Sequence, residues 1–225
     1  KQGEAIVVEG YMDAIALHAV GIHNAVASLG TALTLAQLEL AASPMRFLTR
    51  RKLVLALDAD EAGRKATFRL YEAGILAQLG AKGVDVCMAT LPSPYKDPDE
   101  YIQAMRASAS EHPAVDIARS TFQKQVVDEA IPWIEWVGRQ LILPYTSTGR
   151  SANLAPCMRD LVQLLSRVEL VPEQSLHVRT FASLLAGHDP QLTLQLTADL
   201  HDSLQARRLA ARASASDVTG ASSTN

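Results

Sequence analysis

The chain is predicted to fold as an α/β domain built on a mostly parallel sheet with helices on both faces, followed by an all-α helical subdomain. Three observations carry that prediction. Short β-rich apolar runs alternate with longer helix-period stretches between residues 5 and 91, as βαβ units require. Beyond Pro98 no convincing strand-like run occurs as far as residue 212, and apolar residues recur at helical spacing instead. Finally, a chain of 225 residues with 48% hydrophobic and 20% charged residues has the composition of a protein that buries a core. At that length it forms one large domain or two modest ones.

The elements follow in order. AIVVEG (5–10) reads as a buried strand, and YMDAIALHAVG (11–21) as a helix with Met12, Ile15, Ala16 and Ala19 on one apolar face and Gly21 as its stop. AVASLG (25–30) is a second strand. Thr34 caps the stretch LAQLELAAS, which Pro44 interrupts before LVLALD (53–58), the third and strongest strand. A helix over 61–79, stopped by Gly80 and Gly83, leads to a fourth strand, VDVCMATL (84–91). Helices are then expected near 99–109, 114–142, 151–168, 173–186 and 190–212, with Pro113, Pro144, Pro172 and Pro190 as punctuation and Pro132 as a kink. The expected organisation is thus a sheet domain over 1–98, a helical subdomain over 99–212 and a disordered tail over 213–225, whose small polar residues bury too little to offset ordering.

Composition also excludes classes. No run of roughly 18 apolar residues exists to span a bilayer and no secretory signal opens the chain, so it is read as cytoplasmic with no membrane partner. Cys87 and Cys157 are the two cysteines and form neither a disulfide framework nor a zinc clip; both suit buried small hydrophobes. The net charge of −3 argues against a wholly basic nucleic-acid glove. There is no GxxxxGK[ST], GxSxG or HExxH, so nucleotide binding would pass through a metal. His18 and His23 read as packing residues, the Arg50, Arg51, Lys52 run as a solvated charge run, and Trp133 and Trp136 as core anchors. The chain opens at Lys1 without methionine and reaches a strand pattern within four residues, which suggests a segment of a longer protein.

The chemistry concentrates in carboxylates at strand ends, where open parallel sheets bind ligands. Glu9 closes the first strand with Asp13 one helical turn later. Asp58 and Asp60 close the third strand in LALDADEAG, and Asp97 and Asp99 follow the fourth in YKDPDEY. Residues i and i+2 of an extended chain project to one side, so Asp58 and Asp60 can converge. Clustered carboxylates repel and raise each other's pKa unless a cation intervenes, and hard oxygen ligands suit Mg²⁺ or Mn²⁺ held with substrate phosphates. Lys96 is placed to contact a phosphate beside them. Taken singly, each acid has a plain structural role: an Asp at a strand end is commonly a cap, Asp99 suits the cap of the following helix, and Asp13 suits an exposed helix acid.

These motifs carry a specific resemblance. VVEGYMDAIALHAVGIHNAVASLGTALT, with its turn at Ser28, Leu29, Gly30 and Thr31, resembles the first Toprim segment of bacterial DnaG-type primases. LALDADEAGRKA resembles that family's DxDxAG motif, and YKDPDEYI its KDPDE segment. The middle residue of the DxD, often glycine in the family, is Ala59 here. The resemblance covers residues 4–105 and extends loosely through TSTGRSANLAPCMRDLVQLLSRV, which is similar to the helical part of the primase core. It implies a Toprim fold in which Glu9, Asp58 and Asp60 bind catalytic Mg²⁺ (or Mn²⁺), while Asp13, Asp97 and Asp99 match further acidic active-site positions. It also implies synthesis of short RNA primers on a single-stranded DNA template from ribonucleoside triphosphates. Zinc would belong to an upstream domain outside these residues, and the replicative helicase would bind through a domain that is likewise outside them. The rival readings are a Toprim nuclease or topoisomerase-like DNA cleaver, and a Toprim module that binds partners without catalysis.

Overall fold

The computed structural model describes residues 3–29, 32–108, 114–147, 153–168 and 170–220. It divides into two compact units, residues 1–133 and 134–225.

In the first unit, β1 (Glu4–Val8) leads through α1 (Tyr11–Ala19) to β2 (Ala25–Ala27), and then through α2 (Leu35–Ala42) and a 3₁₀ turn (Ser43–Met45) to β3 (Lys52–Leu55). Two helices, α3 (Glu61–Glu72) and α4 (Ile75–Ala81), precede β4 (Asp85–Met88). After them come α5 (Pro98–Ser108), α6 (Ala114–Phe122), a π-helical turn (Gln123–Val127) and β5 (Ile131–Pro132). The sheet order is β2-β1-β3-β4-β5. The first four strands are parallel, Ile6 standing beside Ala25 and Val54, and β5 runs antiparallel to β4. Side chains alternate across the strands, so Ile6, Val8, Val54 and Ala56 pack with Leu17, Val20, Tyr101, Ile102, Phe122 and Val126 on one face. Ala5, Val7, Leu53 and Leu55 face the other way and are equally buried, beside α2 and α4, which supply Leu38, Leu76 and Leu79.

Several expectations shift. The helix expected over 61–79 is two helices, because Gly74 takes φ 74° and ends the first. The apolar face expected on α1 is turned: Asp13, Leu17 and Val20 are buried at helical spacing with Ala16 partly buried beside them, while Met12 is 49% and Ile15 57% exposed. The helix expected over 114–142 ends at Val127 and resumes at Trp133, and Pro132 between them belongs to β5 and pairs with Cys87. A two-residue strand has no periodicity to read. Pro144 lies inside a helix and does not end one. The division after Trp133 falls well beyond Pro98 because Tyr101, Ile102, Ala118, Phe122 and Val127 complete the sheet's own core.

The second unit comprises α7 (Trp133–Ser147, its first residue closing the first unit), α8 (Ala155–Leu165), α9 (Val171–Leu185) and α10 (Pro190–Gly220). Its core holds Val137, Cys157, Leu161, Leu165, Phe181 and Leu200. Gln174, buried on α9, donates to the Leu165 carbonyl at 2.7 Å and accepts from Arg208 of α10 at 2.7 Å, so one amide ties three helices. The expected disordered tail from 213 overlaps helix as far as Gly220, and 221–225 lie outside the described residues, as do Pro113 and the turn residues Gly30 and Thr31. Among the described residues no helix is long and apolar enough to cross a membrane.

Candidate active site

Three helices start at the carboxyl ends of β1 and β3 and in the loop after β4, and their first turns meet around the acidic motifs. α1 begins after Gly10, whose N–H donates to Asp13 Oδ2 at 2.9 Å. The other oxygen of Asp13 accepts the N–H of Asp99 at 3.1 Å, so this buried carboxylate pins the start of α5 to the start of α1. Asp13 is therefore an internal strut, not an exposed helix acid. Burial raises its pKa first, with Asp97 and Asp99 adding to the rise and the two backbone donors opposing it.

Asp60 is the cap of α3, its side chain accepting the Gly63 N–H at 2.9 Å. Asp97, not Asp99, caps α5, accepting the Glu100 N–H at 2.7 Å. Asp99 instead accepts from the Gln103 amide at 2.8 Å. The loop between β4 and α5 is held to the DxD turn by the Ala59 N–H, which donates to the Lys96 carbonyl at 2.7 Å. The Lys96 side chain is exposed and is not part of the cleft wall.

Glu9, Asp13, Asp58, Asp97 and Asp99 line one open cleft of about 440 Å³, within the usual range for small-molecule sites. Its other wall is apolar, from Tyr11, Met12 and Leu29. Sequence reasoning did not assign these three to the site. For Leu29 the sequence signal was its place in the SLGT turn, and its φ of 62°, a strained value for a branched side chain, is seen only in the fold.

At the centre, Glu9 Oε1 accepts the Asp58 N–H at 3.2 Å, joining the ends of β1 and β3. Gly63 packs so tightly there that a Cβ would lie 2.2 Å from the Asp58 carbonyl and 3.0 Å from Glu9 Oε1. Asp58 Oδ1 is buried without a hydrogen-bond partner. Burial, then the charges of Glu9, Asp13, Asp97 and Asp60, push the Asp58 pKa up to about 7. An orphaned, buried and repelled carboxylate oxygen is what a bound cation would relieve, so the residues fit a divalent ion. Among the described residues no three side chains already surround one metal position. Glu9 and Asp58 are brought together, whereas Asp60 is engaged as a cap and does not line the cleft. That is compatible with Mg²⁺, which keeps several waters and binds through one or two carboxylates plus phosphate oxygens.

The comparisons agree with this geometry. Residues 6–102 match the Toprim-like family model. Strand order, acidic cleft and matched segment together define a Toprim-type α/β domain. The DNA primase of Synechococcus elongatus is 34% identical over 215 residues, which is 95% of this chain but 28% of that protein. A DNA primase domain from Pseudomonas aeruginosa superposes with a TM-score of 0.56 at 30% identity, covering 87% of this chain and 54% of that one. A DnaG primase catalytic domain bound to single-stranded DNA shares the fold, with a TM-score of 0.59 at 24% identity over 83% of this chain and 52% of that one. The chain is thus similar over most of its length to bacterial DNA primases and carries a Toprim-like domain, while it spans about a quarter of the length of the curated relative above.

Proposed function

We propose that this chain is the metal-binding catalytic segment of a DNA primase, acting in the cytoplasm on a single-stranded DNA template with ribonucleoside triphosphates. The observation that carries the reading is Asp58 Oδ1, buried and unpartnered at the floor of an acidic cleft. Glu9 and Asp58 would hold Mg²⁺ or Mn²⁺, with Asp60 joining when its carboxylate leaves the cap. Once bound, the ion supplies electrostatic stabilisation of the triphosphate and of the attacking hydroxyl in nucleotidyl transfer. Asp13 keeps the starts of α1 and α5 in register, so that Asp97 and Asp99 stay at the cleft mouth. Glu9, by accepting the Asp58 amide, fixes the distance between the two principal ligands. Lys96, exposed on the loop beside the DxD turn, would meet the triphosphate as it enters. Tyr11, Met12 and Leu29 offer an apolar wall against the base or sugar of the bound nucleotide. Helicase contact would fall to parts of the longer protein outside these residues.

The test is primer synthesis on single-stranded DNA with labelled ribonucleotides and Mn²⁺, made on the gene product that carries this chain. Asp58→Asn should reduce synthesis by orders of magnitude. In the isolated chain, Mn²⁺ should raise the thermal midpoint by mass action, and Asp58→Asn should abolish the rise. An unmodified protein that makes no primer sinks the reading. DNA breakdown without added nucleotides would favour a nuclease.

A further inference from the structure

Between α2 and β3 the chain makes two tight turns that leave one aromatic ring in solvent. Met45 is 3% exposed and anchors the 3₁₀ turn, Arg46 N–H donates to the Ser43 carbonyl at 3.1 Å, and Leu48 N–H donates to the Met45 carbonyl at 2.8 Å. Between these fixed points Phe47 is 84% exposed, more than any other large apolar side chain among the described residues. The Arg46 guanidinium lies over its ring, 4.5 Å from the centroid.

The segment that follows adds three more cations, Arg50, Arg51 and Lys52, in a chain whose net charge is −3. Arg51 is tied to the Lys82 and Gly83 carbonyls, Lys52 donates to the Val127 carbonyl at 3.0 Å, and Lys82 pairs with Glu39. Arg46 and Arg50 make no ion pair among the described residues. An apolar docking face for a protein would bury a continuous patch, whereas an exposed ring under one guanidinium, with a second unpaired arginine three residues on, matches a nucleic-acid strand: bases stack on aromatic or guanidinium planes and arginines neutralise phosphates. Only an unpaired base can lie on the ring, because duplex bases are already stacked.

We propose that residues 46–50 form a contact for single-stranded DNA before the amino end of β3, the end opposite the carboxylates, with Phe47 as the stacking platform and Arg46 and Arg50 on the phosphates. The strand's identity rests on the primase reading; the contact itself does not use the acidic cleft. Lys52 begins β3 and Asp58 follows its other end, so at least the length of that strand, about 13 Å, separates the two places. The contact would hold the strand outside the reacting nucleotides.

Fluorescence anisotropy with labelled oligo(dT) tests this on the whole 225-residue chain, across a series of salt concentrations. Phe47→Ala should weaken binding at least about fivefold, the low end of the roughly 5- to 150-fold range expected for one stacked base. The pair Arg46→Gln and Arg50→Gln should lower the slope of log affinity against log salt by about 1.4, as two lost phosphate contacts predict. Blunt duplex of equal length should not distinguish Phe47→Ala from the unmodified chain. Both variants should keep the Mn²⁺-dependent thermal shift, because they leave the cleft intact. Oligo(dT) affinity and salt slope unchanged in both variants overturn the proposal, as does no binding by the unmodified chain. If Phe47→Ala alters self-association and not oligo(dT) affinity, Phe47 serves a polypeptide contact and the proposal is wrong. Loss of the metal shift in the unmodified chain, with Phe47-dependent DNA binding retained, would count against the primase reading alone.

Discussion

Asp58 is the residue on which the site's chemistry turns, and its protonation gives a sign that can be checked. Its pKa stands near 7 folded against 3.8 as the ordinary value, so between those limits the folded chain holds a proton that the unfolded chain has released. Stability from this group therefore falls as pH rises from about 4 to 7. Without metal, Asp58→Asn should lack that decline and be the more stable protein at pH 7.5, as urea denaturation at successive pH values will show. A steeper fall in the variant would refute the assigned pKa. Mn²⁺ must displace the same proton, so the metal-induced thermal shift in the unmodified chain should grow from pH 6 to pH 8. Gly63 belongs at this scale too: Gly63→Ala forces a Cβ against the Asp58 carbonyl, and overpacking of that kind costs roughly 1–3 kcal/mol. Equal denaturation midpoints would show that the turn yields freely. The acids themselves were legible in the sequence because strand ends gather ligands. Their hydrogen bonds were not, because which oxygen meets which N–H is decided by the angle at which each helix leaves the sheet.

The elements show the same division between pattern and placement. β1 to β4 were visible as apolar runs, and their spacing by helical stretches predicted a parallel sheet, which the registers of Ile6, Val54 and Cys87 bear out. α1 misled because two of its large apolar side chains, Met12 and Ile15, face solvent, while the aspartate between them is buried as a strut. Periodicity finds hydrophobic faces and cannot foresee a buried carboxylate satisfied by two amides. Asp60 poses the sharpest question for an element, since a cap and a metal ligand make different demands. Asp60→Asn keeps an acceptor for the Gly63 N–H and should leave stability within a few tenths of a kcal/mol, while Asp60→Ala should cost about 1 kcal/mol. If both variants lose primer synthesis but Asp60→Asn alone keeps full stability by calorimetry, the residue serves both purposes. Equal stability of the two would dismiss the cap.

For the molecule as a whole, the sequence placed the change from mixed to all-helical structure at Pro98, because apolar spacing changes there. The compact units part after Trp133, because Tyr101, Phe122 and Val126 are core to the sheet although they lie on helices. Secondary structure marked one border and packing another. Within the second unit, Gly138 on α7 faces the Phe181 ring so closely that a Cβ would lie 2.2 Å from it. Gly138→Ala should lose more to this clash, roughly 1–3 kcal/mol, than it gains in helix propensity, and amide exchange in α7 and α9 should quicken. Unchanged exchange would mean that Phe181 swings aside without cost. The convergence of three helix starts on the acidic cleft has a consequence of its own. Each helix N-terminus carries a partial positive charge of about half an elementary unit, so α1, α3 and α5 surround the carboxylates with a fixed counter-field of about one and a half units. The acids are thus held near one another by the scaffold before any ion arrives. A cation entering the cleft therefore finds Glu9 and Asp58 already joined, and the rearrangement left to the protein is the release of Asp60 from its cap.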